Sequence, residues 1–433
     1  MRKSKHIILY LPTLIISEID KFIETNPPNF KYHKVYFYYL IHQLTVKQIH
    51  HKNDEFVSYN MNYLKKVTVS NIDRYITFLR KGEFIISDGT YIPKIKRYKY
   101  QINEKFIDDV TKIKLDVDSK LSIKVIKELY LKKSHYNRLE PHLKLMYNEL
   151  MKMEFDYEKA KCWIEKNATK KQKLSYFVSI NQIEDKRLRY FKRNKTNKRL
   201  DTNVTNLKSD LRQFLIGDYV SVDLKNSQPF ILGIFLDVIL NERVTLCPYL
   251  QLIIIYKTFG IKRIKGFLNF RQNQEKSIMA NFNMYFNSVT EGVFYETFID
   301  RYIGNVSRND VKDIMFKVLF SKNEIYKDHS KFIPFKKEKE VFESVYTFIY
   351  QAVKSLKTRD NAIMPVYLQK IESYLFIDII SKELVENGII PLTIHDSVIV
   401  KIKDQAKTIE IMSDIFKNQI GIIPKFKVEN LKS

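Results

Sequence analysis

Leu392-Thr393-Ile394-His395-Asp396-Ser397-Val398-Ile399-Val400 is the stretch that decides the fold. Two short apolar runs flank three polar residues, which is the pattern of a tight hairpin with a carboxylate at its tip. A carboxylate between two buried strands needs a cation or other partners to offset the loss of its hydration. The stretch therefore predicts an antiparallel sheet that carries Asp396 into a site.

A second carboxylate ends an earlier run, Tyr219-Val220-Ser221-Val222-Asp223-Leu224. Alternation along a strand places Asp223 on the face opposite the two valines. Asn226-Ser227-Gln228-Pro229 follows, and a cap residue with an early proline predicts the start of a helix. Two such carboxylates side by side would repel unless a metal ion lay between them, and their hard oxygen atoms suit Mg²⁺.

A helix between these two stretches carries a stripe of cations and aromatic rings. Within residues 308–321, the stripe repeats every four residues and consists of Arg308, Lys312, Phe316 and Phe320. Two cations followed by two rings would bind a triphosphate at one end and stack on a base at the other. Taken alone, the same spacing also fits an ordinary amphipathic helix with solvated cations.

These three stretches, in this order, resemble motifs A, B and C of the family A nucleotide polymerases, which include bacterial DNA polymerase I and the phage-type single-subunit RNA polymerases. Asp223 stands at the motif A aspartate. The stripe follows the motif B pattern Arg-x3-Lys-x3-Phe-x3-Tyr-Gly, with Phe320 and Ser321 at the last two positions. His395-Asp396-Ser397 matches motif C, and the resemblance covers roughly residues 190–433.

Two further segments extend the resemblance. Residues 196–200, Thr-Asn-Lys-Arg-Leu, look like the Thr-Gly-Arg-Leu stretch that leads into motif A, and Gln369 stands where the family has a helix with glutamine before motif C. The resemblance implies an α/β (α+β) fold: a right-hand polymerase palm of antiparallel strands over residues 196–433, with helical fingers inserted at about residues 233–330.

The implied reaction is attack of a primer 3′-hydroxyl on the α-phosphate of a deoxynucleoside triphosphate, directed by a DNA template or, as a second option, an RNA template. Asp223 and Asp396 would hold two Mg²⁺ ions, for which Mn²⁺ could substitute. Four residues would bind the triphosphate and base of the nucleotide: Arg308, Lys312, Phe316 and Phe320. Three would contact the primer–template: Arg199, Gln369 and His395.

The sugar preference depends on Gln228. It stands five residues after Asp223, at the spacing of the family's glutamate, so it would lie beneath the sugar of the incoming nucleotide and crowd a 2′-hydroxyl. Phe320 lacks the hydroxyl of the family's tyrosine, which could hold that side chain in place. Deoxynucleotides are therefore expected to be preferred, but less strictly than in a typical DNA enzyme.

Upstream, residues 1–105 resemble a winged helix-turn-helix. Apolar periodicity predicts helices over 35–50, 60–67 and 71–81, followed by a hairpin around Asp88-Gly89 with a basic strand over 94–100. Lys96 and Arg97 in that strand are expected to contact phosphate. A small module that packs on another protein has the same pattern. Residues 106–195 are expected to be a helical, thumb-like or linker region.

Charge and composition favour a nucleic-acid partner. Lys and Arg total 74 against 49 Asp and Glu, a net charge of +25 that attracts a polyanion. The apolar run 7–16 imitates a signal peptide, but Pro12 interrupts it and acidic residues follow at once. No run approaches the ~20 apolar residues that cross a bilayer, and Cys162 and Cys247 lack metal-ligand spacing. We therefore expect a cytoplasmic location without membrane contact.

Two other functions fit the same residues. An RNA polymerase or primase could use the same palm, since His395-Asp396-Ser397 is the form found in the RNA enzymes. A DNA-binding replication or regulatory protein could retain an inactive palm, although intact Asp223, Lys312 and Asp396 argue against it. No proofreading exonuclease is expected, because the nearby acidic pair Asp116-Val117-Asp118 lacks partners.

Overall fold

The computed structural model describes residues 7–47, 56–89, 98–107, 110–116, 119–133, 136–186, 189–264, 275–327, 330–357 and 360–431. Many helices surround small antiparallel sheets, which agrees with the expected α/β class. Within these ranges, no helix combines the length and the apolar character that a membrane-spanning helix needs.

The N-terminal part contains the three predicted helices in the predicted order, and the strand after the Asp88-Gly89 turn begins at Tyr100, whereas residues 94–97 of the predicted basic strand lie outside the described residues. Its elements are β1 (Ile7–Pro12), α1 (Thr13–Thr25), α2 (Lys34–Lys47), α3 (Met61–Val67), α4 (Ile72–Lys81), β2 (Ile85–Ser87), β3 (Tyr100–Ile102) and β4 (Val110–Leu115). Strands β2 and β3 pair antiparallel. Strand β1 pairs with β4, so this part continues past the boundary at residue 105. Lys96 and Arg97 lie outside the described residues.

The next part is largely helical, as expected for residues 106–195. Its elements are α5 (Lys120–Lys133), α6 (Pro141–Lys152), α7 (Tyr157–Asn167), α8 (Lys170–Glu184), β5 (Phe191–Arg193), β6 (Leu200–Thr202) and α9 (Asn203–Asn206). The last carbonyls of a helix lack intrahelical donors. Buried Arg189 supplies donors at two helix ends, to Leu150 and Met153 at 2.6 and 2.7 Å and to Ile183 at 2.7 Å.

The remaining elements build the central sheet and the helices around it. They are β7 (Tyr219–Leu224), α10 (Ser227–Asn241), α11 (Leu252–Phe259), α12 (Glu275–Thr290), α13 (Phe294–Arg301), α14 (Arg308–Phe320), β8 (Ile325–Lys327), β9 (Ser330–Phe332), α15 (Lys336–Val345), α16 (Thr347–Leu356), α17 (Ile363–Ser373), a π-helical segment (Tyr374–Ile380), α18 (Ser381–Glu386), β10 (Leu392–Ile394), β11 (Ser397–Lys401), α19 (Gln405–Ile420) and β12 (Phe426–Asn430). Helix α10 is buried along nearly its whole length, and the expected start of the fingers at about residue 233 falls inside it.

The central sheet has the strand order β10-β11-β7-β12, and every neighbouring pair is antiparallel. Val398 and Val400 of β11 lie opposite Val222 and Val220 of β7, so the four valines share one face. These side chains pack into the hydrophobic core formed by α10 and the C-terminal helices, whereas Ile399 packs into the core of the N-terminal half. The predicted alternation is confirmed: the sheet separates two cores, and Asp223 belongs to the face opposite the valines.

A π-helical segment joins α17 to α18. Such segments shift a helix face by about one residue and frequently occur at functional sites. Two side chains hold this π-helical segment. His142 Nε2 donates to the Ile377 carbonyl at 3.0 Å, and the Arg193 guanidinium pairs with both oxygens of Asp378 at 2.7 and 2.8 Å. The helix is thereby fixed against α6 and β5.

Candidate functional site

The structure brings together Asp223, near the end of β7, and Asp396, in the turn between β10 and β11. Asp223 on β7 lies directly opposite Ser397 on β11, and the backbone N–H of Leu224 donates to the carbonyl of Asp396 at 3.1 Å. His395 adopts a positive φ of 53°, which lets the chain turn sharply between β10 and β11. Antiparallel pairing thus places Asp223 beside Asp396, although the two residues are far apart in the sequence.

The electrostatics of this pair suit a cation. Burial raises the pKa of Asp223 to about 7, and the nearby charges of Asp396 and Glu429 add to the shift against the opposing effect of Lys427 and Arg212. Burial likewise raises the pKa of Asp396. Neither carboxylate forms an ion pair within the described ranges. A half-buried carboxylate pair without an ion-pair partner among the described residues is a fitting donor set for a divalent cation.

The protein would supply few ligands to such a metal ion. Among the described residues, no group of three or more His, Cys, Asp or Glu side chains lies close enough together to hold a metal ion. Two carboxylates are a small ligand set, and Mg²⁺ commonly completes such a set with water and substrate phosphate. Asp223 and Asp396 therefore fit a cation that arrives with a phosphorylated substrate better than a permanently bound structural ion.

We expect Asp223→Asn to stabilise the metal-free protein more at pH 8 than at pH 5. The folded-state pKa of about 7 lies above the ordinary value of 3.8, so the folded chain keeps a proton that the unfolded chain has lost between these values. This contribution to stability is complete below the unfolded pKa and disappears as the pH rises through the folded pKa. Thermal unfolding at pH 8 should show a gain of about 2–4 °C.

The control is Asp414→Asn, because Asp414 is an exposed carboxylate on α19. Both variants are melted with a chelator present, at pH 5 and pH 8. An equal change in melting temperature for the two variants, or a gain for Asp223→Asn at pH 5 alone, would contradict the expectation that ionised Asp223 destabilises the metal-free protein.

The predicted stripe lies along one side of α14. Phe316 and Phe320 stack with their ring centroids 4.5 Å apart and 17° between their planes. Phe316 is 59% exposed. Arg308 forms an exposed ion pair with Glu296 at 3.2 Å. The rings and cations that were predicted to contact a nucleotide are therefore accessible.

Tyr295 in α13 links the stripe to the carboxylates, and the sequence patterns did not identify it. The Arg308 guanidinium lies 4.6 Å from the Tyr295 ring centroid and the Lys312 ammonium lies 5.7 Å from it. Burial raises the pKa of Tyr295, Arg308 opposes the shift, and Asp396 and Asp223 add to it. The ring thus contacts both cations of α14 and lies within electrostatic range of Asp223 and Asp396.

The side chains of Lys357 and Asn361 cap the C-terminal end of α14. The Lys357 ammonium donates to the carbonyls of Leu319 and Ser321 at 3.2 and 2.8 Å, and Asn361 Nδ2 donates to the Phe320 carbonyl at 3.1 Å. Since these carbonyls have no intrahelical donors, the contacts fix the end of the helix and with it the position of Phe320.

Glu372 is the second residue that sequence reasoning missed. It is fully buried at 0% exposure, and its carboxylate accepts from Arg199 Nε at 2.7 Å and Nη2 at 2.9 Å. Gln228 Nε2 donates to the same carboxylate at 2.5 Å. Burial raises the pKa of Glu372 to about 7, with Asp396 adding to the shift and Arg199 opposing it.

The available signal was the spacing from Gln369. Residues three apart lie on one side of a helix, and the structure uses both Gln369 and Glu372 to hold the same turn. Asn197 Nδ2 donates to Gln369 Oε1 at 3.0 Å, while Arg199 binds Glu372. Arg199 and Gln369 thus contact other residues of the chain, and their expected contacts with a primer–template stay predictions.

His395 is buried close to this network. Burial lowers the pKa of the His395 imidazole to about 4, and the charges of Arg199 and Arg212 lower it further, so the ring is neutral at pH 7. Its Nδ1 atom has no hydrogen-bond partner among the described residues. A buried unpaired nitrogen is costly, and its expected contact with the primer end stays a prediction.

Comparison with known proteins assigns no family to the chain. No protein-family model and no curated protein matches it. Among solved structures it is similar to the POL domain of Pol1 from M. smegmatis in complex with a DNA primer-template and dNTP, at 12% sequence identity and a TM-score of 0.25, over 64% of this chain and 55% of that one. The chain thus spans about half the length of that structure, and likeness at this level establishes neither membership nor activity.

Proposed function

We propose that this chain is a template-directed DNA polymerase that adds deoxynucleotides to a primer 3′ end and has no proofreading exonuclease. The observation that supports it most is the pairing of Asp223 with Asp396 at the end of an antiparallel sheet. Tyr295, which contacts Arg308 and Lys312 of α14, lies within electrostatic range of both carboxylates. Phosphoryl transfer to a growing strand needs both sets of charges facing one substrate.

In this proposal Asp223 and Asp396 bind two Mg²⁺ ions. The chemistry that Mg²⁺ supplies when bound is neutralisation of charge on the attacking and leaving oxygens. Arg308 and Lys312 bind the triphosphate, and the exposed Phe316 and the adjacent Phe320 pack on the base. This arrangement uses each unusual feature of the site: the buried acids, the accessible ring and the cations stacked on Tyr295.

Primer extension tests the proposal. The full chain is given a 5′-labelled primer on a DNA or an RNA template, with Mg²⁺ and either dNTPs or NTPs, and the products are separated on a gel. Extension of a DNA template with dNTPs is the expected result. Extension with NTPs alone would favour the RNA polymerase or primase suggested by His395-Asp396-Ser397. Binding without any extension would favour a DNA-binding protein with an inactive palm.

We expect salt-sensitive binding to DNA, with part of it contributed by the basic segment around Lys96 and Arg97. Each phosphate contact that is removed lowers the slope of log affinity against log salt by about 1. The double variant Lys96→Ala/Arg97→Ala in the full chain should therefore reduce the slope by about 2. Fluorescence anisotropy over a salt series measures it.

The matched control removes two cations elsewhere. Lys382 and Lys407 are exposed residues of α18 and α19 that pair with Glu386 and Glu410, and their replacement by Ala makes the same change in net charge. Equal slopes for the two double variants would remove the basic segment from the binding surface.

A further inference from the structure

The side chain of Gln228 is hydrogen-bonded to a buried ion pair. Its amide nitrogen donates to Glu372 at 2.5 Å, and Glu372 in turn receives two hydrogen bonds from Arg199. The Arg199–Glu372 pair is almost completely shielded, with side-chain exposures of 17% and 1%. A bidentate pair in such surroundings has one well-defined geometry, so Gln228 is attached to a fixed point.

The other end of this support is also fixed. Arg199 follows the tight turn between β5 and β6, where its backbone N–H donates to the Asn197 side chain at 3.2 Å. That side chain binds Gln369, one helical turn before Glu372, and Ser373 donates to the Asn197 carbonyl at 3.1 Å. The turn and helix α17 are therefore joined at several points, and little freedom is left for Arg199 to move with Gln228.

The attachment changes what a glutamine can do at this position. A free glutamine side chain is mobile, and ordering it opposes binding because rotamer freedom is lost. Here its N–H₂ group is engaged by Glu372, and its Oε1 atom is buried without a hydrogen-bond partner among the described residues. Gln228 is therefore held in one position, and its engaged N–H₂ group is not a mobile donor.

The resemblance places a tyrosine where this chain has Phe320. A phenolic hydroxyl at that position could hold the residue beneath the sugar, and Phe320 has none. We propose that Glu372 replaces that hydroxyl as a specificity-determining positioning residue, which fixes Gln228 beneath the sugar of the incoming nucleotide, so that a 2′-hydroxyl meets a side chain that cannot move aside. The proposal rests on the proposed function, because it needs a nucleotide at this place.

A purely structural role for Glu372 makes a different prediction. An ion pair that only stabilises the fold would, when broken, lower stability and slow deoxynucleotide and ribonucleotide incorporation alike. A residue that acts through Gln228 changes the ratio of the two rates. Arg193 and Asp378 provide the matched control, since they form another bidentate pair between β5 and the same long helix, at 2.7 and 2.8 Å.

The experiment measures kcat/KM for one dNTP and its matching NTP on a single primer–template. Glu372→Gln should raise the relative use of the ribonucleotide by about tenfold or more, and Gln228→Ala should do the same. The double variant should show no further increase over Gln228→Ala, because effects that act through one residue are not additive. Asp378→Asn should lower the melting temperature and leave the ratio unchanged.

Three results would overturn the proposal. These are an unchanged ratio in Glu372→Gln, additive effects in the double variant, and a wild-type enzyme that prefers ribonucleotides. If Glu372→Gln does not fold, Gln228→Leu takes its place, since leucine retains most of the bulk of glutamine but cannot bind Glu372. The relative use of the ribonucleotide by Gln228→Leu should rise. An unchanged ratio in this variant would overturn the proposal as well. A wild-type chain that extends primers with unaltered ratios among variants refutes only this proposal, whereas a chain that extends none refutes the proposed function as well.

Discussion

Asp396→Asn and Asp223→Asn are each expected to reduce primer extension by at least about 10³-fold while primer–template affinity stays within a factor of about three. Coordination of a catalytic cation contributes several kcal/mol to transition-state stabilisation, and about 4 kcal/mol corresponds to that loss of rate. DNA affinity should be retained, because removing a negative charge next to a phosphate strand does not weaken its binding. Single-turnover extension and anisotropy measure the two quantities.

Asparagine is the right replacement because the neighbours of both residues are tightly packed. Val222 and Leu224 on either side of Asp223 are buried at 0% and 1% exposure, so a change of size would disturb the sheet. Asp414→Asn on α19 is the control and should extend primers like the wild type. Substantial extension by either site variant would show that the carboxylate pair is not the catalytic centre.

Lys312→Ala is expected to raise KM for the nucleotide by about 10–150-fold and to leave primer–template affinity nearly unchanged. The reason is that a hydrogen bond to a charged group contributes roughly 1.5–3 kcal/mol. The Lys312 ammonium lies over the ring of Tyr295, whose pKa is affected by Asp223 and Asp396. Steady-state kinetics with one varied dNTP measures KM, and anisotropy measures DNA binding.

A suitable control for this variant is Lys336→Ala. Lys336 is an exposed residue of α15 that pairs with Glu340 at 3.7 Å, so this variant makes the same change in charge away from the stripe. If Lys312→Ala lowered DNA affinity and KM stayed constant, the stripe would contact the template and not the triphosphate.

The sequence predicted those parts of the fold that local patterns determine. Alternation in β7 and in the β10–β11 hairpin is a property of adjacent residues, so Asp223 and Asp396 could be placed on strands before any contact between them was known. The four-residue spacing of the stripe likewise depends on one helix. In each case the prediction needed only the geometry of a single element.

Features that depend on contacts between distant elements could not be predicted in this way. Glu372 gains its importance from Arg199 and Gln228, which come from other parts of the chain, and nothing in its own neighbourhood reveals them. Tyr295 stands outside the stripe and joins it only through packing of α13 on α14. Strand β12 was missed for another reason: charged residues such as Lys427 and Glu429 protect the edge of a sheet from aggregation and hide its strand pattern.

The position of β7 between β11 and β12 has a consequence for how the protein is made. A chain emerging from the ribosome contains Val220 and Val222 long before it contains either neighbouring strand, whose residues begin at Ser397 and Phe426. Domains generally fold in order during synthesis, and sheets with distant partners fold slowly because a long loop must close first. The N-terminal core can therefore form early, while the valine face of β7 remains exposed to solvent. We expect the catalytic pair to assemble only after translation is nearly complete, and a chaperone that shields apolar strands to raise the yield of active protein.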